Sequence, residues 1–127
     1  LEEHGAESVK GATADGRIPG LDHERAKVDA DGIGSADVVL VPLEDGDRAE
    51  ALAEMGTTEL VIDLNPMSRS ARSATVPVVD NLVRAVPNVT DHARELIGAD
   101  DETLDSIVSA FDADAALSAA EQRIRDV

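Results

Sequence analysis

The residues that decide the fold are Leu60-Val61-Ile62-Asp63-Leu64-Asn65-Pro66-Met67-Ser68-Arg69-Ser70-Ala71-Arg72. Leu60 to Asp63 reads as a buried strand that ends on a carboxylate, and Asn65-Pro66 then starts a turn. Two hydroxyls and two arginines follow at once. In an open α/β sheet, ligands sit beyond the carboxyl ends of the strands. Acid, amide, hydroxyl and guanidinium therefore gather at the usual place, and arginine in so acidic a chain points to an anionic ligand such as a phosphate. The competing reading has Asp63 capping the turn while the arginines pair with surface acids. Composition alone leaves the two level.

Working outward, Val38-Val39-Leu40-Val41 is the clearest strand, continuously apolar as expected of a strand covered on both faces, and Pro42 ends it. Asp47 is the expected N-cap of a helix from about Arg48 to Met55, closed by Gly56. Thr75 to Val79 reads as a third strand. Asp80 is expected to cap a helix that Pro87 stops near Val86, and Thr90 to cap another ending at Gly98. Asp100 to Ala110 and Asp114 to Arg125 read as amphipathic helices, the first burying Leu104, Ile107, Val108 and Phe111. Before the first strand, Ala6 to Gly20 reads as a loop carrying Arg17, and Leu21 to Ala30 as a short helix. This order predicts an α/β fold, a mostly parallel sheet with helices on both faces and a C-terminal helical tail, in one domain spanning residues 1–127. The link from Leu64 to Ala74 is short for a helical crossover. It holds one turn of helix, or the third strand is antiparallel.

Composition sharpens this picture. Asp and Glu number 27 against 11 Lys and Arg, a net charge of −16, and Phe111 is the sole aromatic. The core must be built from alanine and branched aliphatics. So much like charge repels at low salt, and the scarcity of lysine resembles proteins of salt-adapted cells. It argues against sequence-independent nucleic-acid binding and against docking on anionic lipid. Cysteine is absent, which excludes disulfides and thiol chemistry. No stretch has the apolar length of a membrane span, so the expected place is the cytoplasm. The chain opens on Leu1-Glu2-Glu3-His4-Gly5, which reads as the last turn of a helix capped by Gly5. The expectation is a fragment, the C-terminal part of a longer protein.

Four clusters carry possible chemistry. Asp63 can accept from a ribose hydroxyl, Asn65 can read a base edge or hold a phosphate oxygen, and Ser68, Arg69 and Ser70 offer donors to a phosphate chain. Asp80-Asn81, one strand over, would form the opposite wall of one crevice, with Arg84 able to reach it. His23-Glu24-Arg25-Ala26-Lys27 is the densest basic cluster, a phosphate site or a solvated helix face. Glu44-Asp45-Gly46-Asp47 could hold magnesium through water, though capping and favourable placement at a helix start explain the acids without it. The dinucleotide and P-loop glycine fingerprints are missing, and His4, His23 and His92 lack ligand spacing, so no histidine metal site is expected.

Several ordered strings go further. Val41-Pro42-Leu43-Glu44-Asp45-Gly46-Asp47-Arg48, Asp63 through Arg72, and Val79-Asp80-Asn81-Leu82-Val83-Arg84-Ala85-Val86-Pro87-Asn88 resemble the archaeal phosphopantothenate synthetases, or 4-phosphopantoate–β-alanine ligases. His23 to Lys27 and Gly34 to Val41 are similar too. The resemblance implies a Rossmann-like homodimer in coenzyme A biosynthesis that joins 4-phosphopantoate to β-alanine and consumes ATP with Mg2+, releasing AMP and pyrophosphate. It implies ATP contacts at Asp63, Leu64, Asn65, Arg69, Ser70, Asp80, Asn81 and Leu82, the two leucines through backbone groups, with Arg69 neutralising phosphate charge. His23, Arg25 and Lys27 become candidates for the phosphopantoate phosphate. Ser70 stands where that family often has threonine.

Overall fold

The computed structural model describes residues 1–21, 26–43 and 45–127. Its elements run β1 (Gly16–Arg17), β2 (Lys27–Val28), β3 (Val38–Val41), α1 (Gly46–Glu54), β4 (Thr58–Ile62), α2 (Arg69–Ser73), β5 (Val76–Val78), α3 (Leu82–Leu96), α4 (Asp101–Ala110) and α5 (Ala113–Arg125). Strands β3, β4 and β5 form a parallel sheet in that order, with Leu40 opposite Leu60 and Ile62 opposite Val78. The chain is α/β. The short link before β5 carries one turn of helix, α2, and the parallel option holds.

Alternation along β4 decides which face is covered. Glu59 and Val61 are buried on one side. Helices α1 and α2 lie against each other, and both pack on β4. On the other side, Val38 and Leu40 of β3 are 58% and 47% exposed. Helical cover of both faces, expected from the apolar run Val38 to Val41, is therefore not found at β3 among the described residues. An unbroken apolar run signals burial only when both neighbouring layers are present. Helix α5 reaches β5 instead.

The segment before β3 also differs from expectation. Ala6 to Gly20 is not all loop, and Lys27–Val28 is strand rather than helix: β1 and β2 pair antiparallel, with Arg17 opposite Lys27. Ile18, Leu21, Ala26 and Val28 join Ala51 and Leu52 of α1 in the main apolar cluster. The proposed helix from Leu21 falls partly outside the described residues. Burial of alternate residues Ile18, Ala26 and Val28 is what a helical reading of so short a stretch misses.

Helix starts shift by a residue or two, each through a carboxylate or amide that reaches a backbone N–H. Asp45, not Asp47, caps α1 by accepting from the Arg48 N–H at 3.2 Å. Asn81, not Asp80, caps α3, and α5 starts one residue before Asp114, capped by Asp112. Pro87 does not stop a helix, since α3 continues through it to Leu96. A proline in the second turn removes one hydrogen bond, and the Thr90 hydroxyl donates to the Val86 carbonyl at 2.9 Å close by. The apolar stripe of α4 is not buried, because Ile107, Val108 and Phe111 are exposed and Leu104 is only partly covered.

The charge has a measurable consequence. The Debye length falls from about 10 Å at ~0.1 M salt to about 3 Å at ~1 M, so repulsion among the excess acids fades over that range. The thermal midpoint should rise as KCl is added across it. A midpoint that stays level or falls would show that net charge does not limit this fold.

Candidate functional site

The C-terminal tips of β3, β4 and β5 stand side by side because the strands are parallel neighbours. Between them lies a cleft of about 320 Å³. Pro42 and Leu43 come from the β3 tip, Ile62, Asp63 and Leu64 from β4, and Asp80, Asn81 and Leu82 from β5 and the start of α3. The Asp63 N–H donates to the Val78 carbonyl at 3.1 Å, carrying the sheet ladder to the cleft's edge. The two sequence clusters thus share one crevice. Pro42 and Leu43 complete it, and the sequence offered only a strand terminator there.

Asp63 is held rigidly. Oδ1 accepts from the Asn65 N–H at 3.0 Å, and Oδ2 accepts from the Ser68 hydroxyl. Ser68 Oγ in turn accepts from the Ala71 N–H at 3.0 Å and caps α2, while Asn65 Oδ1 accepts from the Met67 N–H at 3.0 Å. The turn-capping reading is realised, and Asp63 also forms a wall of the cleft. Each carboxylate oxygen has a second lone pair, so each can still accept from a ligand.

Asp80 is the second acid of the cleft. Its Oδ1 accepts from Arg84 Nε at 2.9 Å, from Arg84 Nη2 at 2.7 Å and from the Asn81 N–H at 2.7 Å. These donors, the guanidinium first, hold its carboxyl below the usual range and keep it ionised. Asn81 Oδ1 accepts from the Arg84 N–H at 2.9 Å, which leaves its amide group to donate elsewhere.

Arg69 and Ser70 stand off the cleft wall. Arg69 Nη1 donates to Asp47 Oδ1 at 2.7 Å and lies 3.7 Å from Glu50 Oε2, both on α1. Ser70 is buried, and its hydroxyl has no hydrogen-bond partner, so it faces the packed interior rather than solvent. Lys27 lines a separate cavity of about 690 Å³ together with Arg17 and Asp15. His23, Arg25 and Glu44 lie outside the described residues. Among the described residues no group of three or more His, Asp or Glu side chains could hold a metal ion, and no helix is long and apolar enough to cross a membrane.

One buried group escaped the sequence reading. Glu59, within the apolar run of β4, is wholly covered and both carboxylate oxygens lack partners, so burial pushes its carboxyl up to about 7. A lone glutamate at the position alternating with Val61 was the available signal.

Fold and crevice define an α/β protein with a cleft at the strand tips, and comparison with known proteins gives the family. The phosphopantothenate/pantothenate synthetase family model matches residues 1–127, and the chain belongs to that family. It is 56% identical over 110 residues to a 4-phosphopantoate–beta-alanine ligase of Thermococcus kodakarensis, covering 87% of this chain and 42% of the relative. Enzymes of the same name from Methanosarcina mazei (44% identity; 99% and 49% covered) and Methanospirillum hungatei (53%; 76% and 39%) are similar. The chain spans less than half the length of these relatives.

Proposed function

We infer that this chain is the Rossmann-like, nucleotide-handling domain of an ATP-dependent ligase that joins 4-phosphopantoate to β-alanine, releasing AMP and pyrophosphate. The observation that carries the reading is the shared cleft between Asp63-Leu64 and Asp80-Asn81-Leu82. Its volume lies at the lower end of the roughly 300–1,000 Å³ typical of small-molecule sites, suited to the nucleoside part of ATP. Residues 1–127 form one α/β domain in this reading. The enzyme works as a cytoplasmic homodimer, and the exposed apolar stripe of α4 supports self-association.

Each residue has a part. Asp63 accepts from a ribose hydroxyl through its remaining lone pairs, and its fixed geometry means no side-chain freedom is lost on binding. Asn65 and Asn81 donate amide hydrogens, while Leu64 and Leu82 give apolar surface and backbone groups. Ser70 contributes its backbone N–H, since its hydroxyl points inward. Arg69 supplies charge to the phosphates and to the departing pyrophosphate. Lys27, beside Arg17, is assigned to the phosphate of 4-phosphopantoate, with His23 and Arg25 as candidates in the same segment. The acids near the tips are already engaged: Asp45 caps α1 and Asp47 holds Arg69. Magnesium therefore fits here as an ion carried by phosphate oxygens and water, neutralising phosphate charge.

The complete protein should incorporate labelled β-alanine only with 4-phosphopantoate and ATP-Mg2+, forming one AMP per product. Formation of ADP and phosphate instead, or incorporation without ATP, defeats the assignment. Asp63→Asn should raise the ATP KM about tenfold, the scale of a hydrogen bond to a charged acceptor. An unchanged KM would remove Asp63 from the site.

A further inference from the structure

The Glu44-Asp45-Gly46-Asp47-Arg48 string was legible as capping or as a magnesium site; Asp45 does cap α1, and the residues after it do something more. A Cβ built on Gly46 would lie 3.0 Å from both Nε and Nη2 of Arg69 and 3.1 Å from its Cβ. The guanidinium therefore rests against the bare backbone at the first turn of α1. Asp47 Oδ1 takes Nη1 at 2.7 Å, and Glu50, one turn of helix along, adds a second carboxylate at 3.7 Å. We propose that Gly46, Asp47 and Glu50 form a seat that positions Arg69 for the nucleotide phosphates.

Two magnitudes favour positioning over stability. An exposed ion pair shifts a folding equilibrium only a few-fold at most, and the Arg69 and Asp47 side chains are 62% and 45% exposed. Glycine is also the weaker helix former compared with alanine, and Gly46 has no positive φ that would demand it. The position gives up helix preference, and what it gains is close approach of the Arg69 side chain, from its Cβ to its guanidinium. Among 27 acids an unseated arginine would meet many competing partners. Two carboxylates on one helix face limit it to one place. Arg69 follows directly on Ser68, whose hydroxyl donates to Asp63, so the seat is tied to a wall of the cleft.

The proposal rests on the reading of Arg69 as the phosphate residue, and the test separates the two. In the complete protein, Gly46→Ala should lose on the order of tenfold in kcat/KM for ATP, as a small misplacement of a charged group does. Asp47→Asn should lose roughly two- to fivefold, mostly in KM. Both losses should vanish when the variants are made on an Arg69→Ala background. The Arg69 Nε–H signal in nitrogen NMR should shift and exchange faster in Asp47→Asn. Losses that persist without Arg69, or an Nε–H signal indifferent to Asp47→Asn, overturn the seat. If Arg69→Ala alone leaves ATP kinetics unchanged while the signal still shifts, the phosphate role fails and the positioning claim falls with it.

Discussion

Arg69→Ala is expected to lower kcat/KM for ATP by about 10²–10³-fold in the complete protein, the loss typical when one preorganised charge partner of a developing anion is removed. Melting temperature should hardly move, because the side chain is 62% exposed and its pairs with Asp47 and Glu50 are solvated. Arg69→Lys should recover part of the activity, since it keeps the charge and loses the planar fork that both Asp47 and a phosphate can use. The assay is pyrophosphate release with 4-phosphopantoate and β-alanine present, alongside a thermal melt. Turnover unchanged in the alanine variant would return Arg69 to the role of a surface ion-pair partner. A large fall in melting temperature would instead mark a structural role, which its exposure argues against.

The contrast between Arg69 and Asp63 shows what a sequence can tell about such a site. Asp63 and Asn81 are legible because strand tips in a parallel sheet are adjacent by construction, and the β3-β4-β5 order brings them to one cleft. Where Arg69 goes is not legible. A guanidinium reaches far, and its partners Asp47 and Glu50 sit about twenty residues away on another helix. The turn at Asn65-Pro66 was readable from local chemistry. The continuation of α3 through Pro87 was not, because losing one bond in a 15-residue helix is outweighed by the turns on either side. The β1–β2 ribbon was hidden for another reason: strands of two residues carry no period to detect. The apolar stripe of α4 and the open face of β3 were read as buried because hydrophobicity marks a surface that wants a partner, without saying which layer provides it.

Glu59 gives the second large expectation, and its sign follows from linkage. The carboxyl is wholly buried without a hydrogen-bond partner, and burial raises it from the ordinary 4.5 to about 7 in the folded chain. Between those values the folded state binds a proton that the unfolded state releases, so stability from this group is complete below about pH 4.5 and is lost as pH rises through about 7. The parent should therefore weaken from pH ~5 to pH ~8 in urea unfolding. Net negative charge pushes in the same direction, since acids gain charge as pH rises, so the parent curve alone decides nothing. The difference between parent and Glu59→Gln isolates the carboxyl. That difference should be small near pH 5 and reach roughly 1–3 kcal/mol in favour of glutamine near pH 8, the scale of burying an unpaired ionisable group. Glu59→Val, which matches the neighbouring Val61 on the covered face, should be more stable than the parent at both ends of the range. A difference curve flat in pH would mean that Glu59 finds a cation or water in solution, and its burial beneath α1 and α2 would then carry no energetic weight.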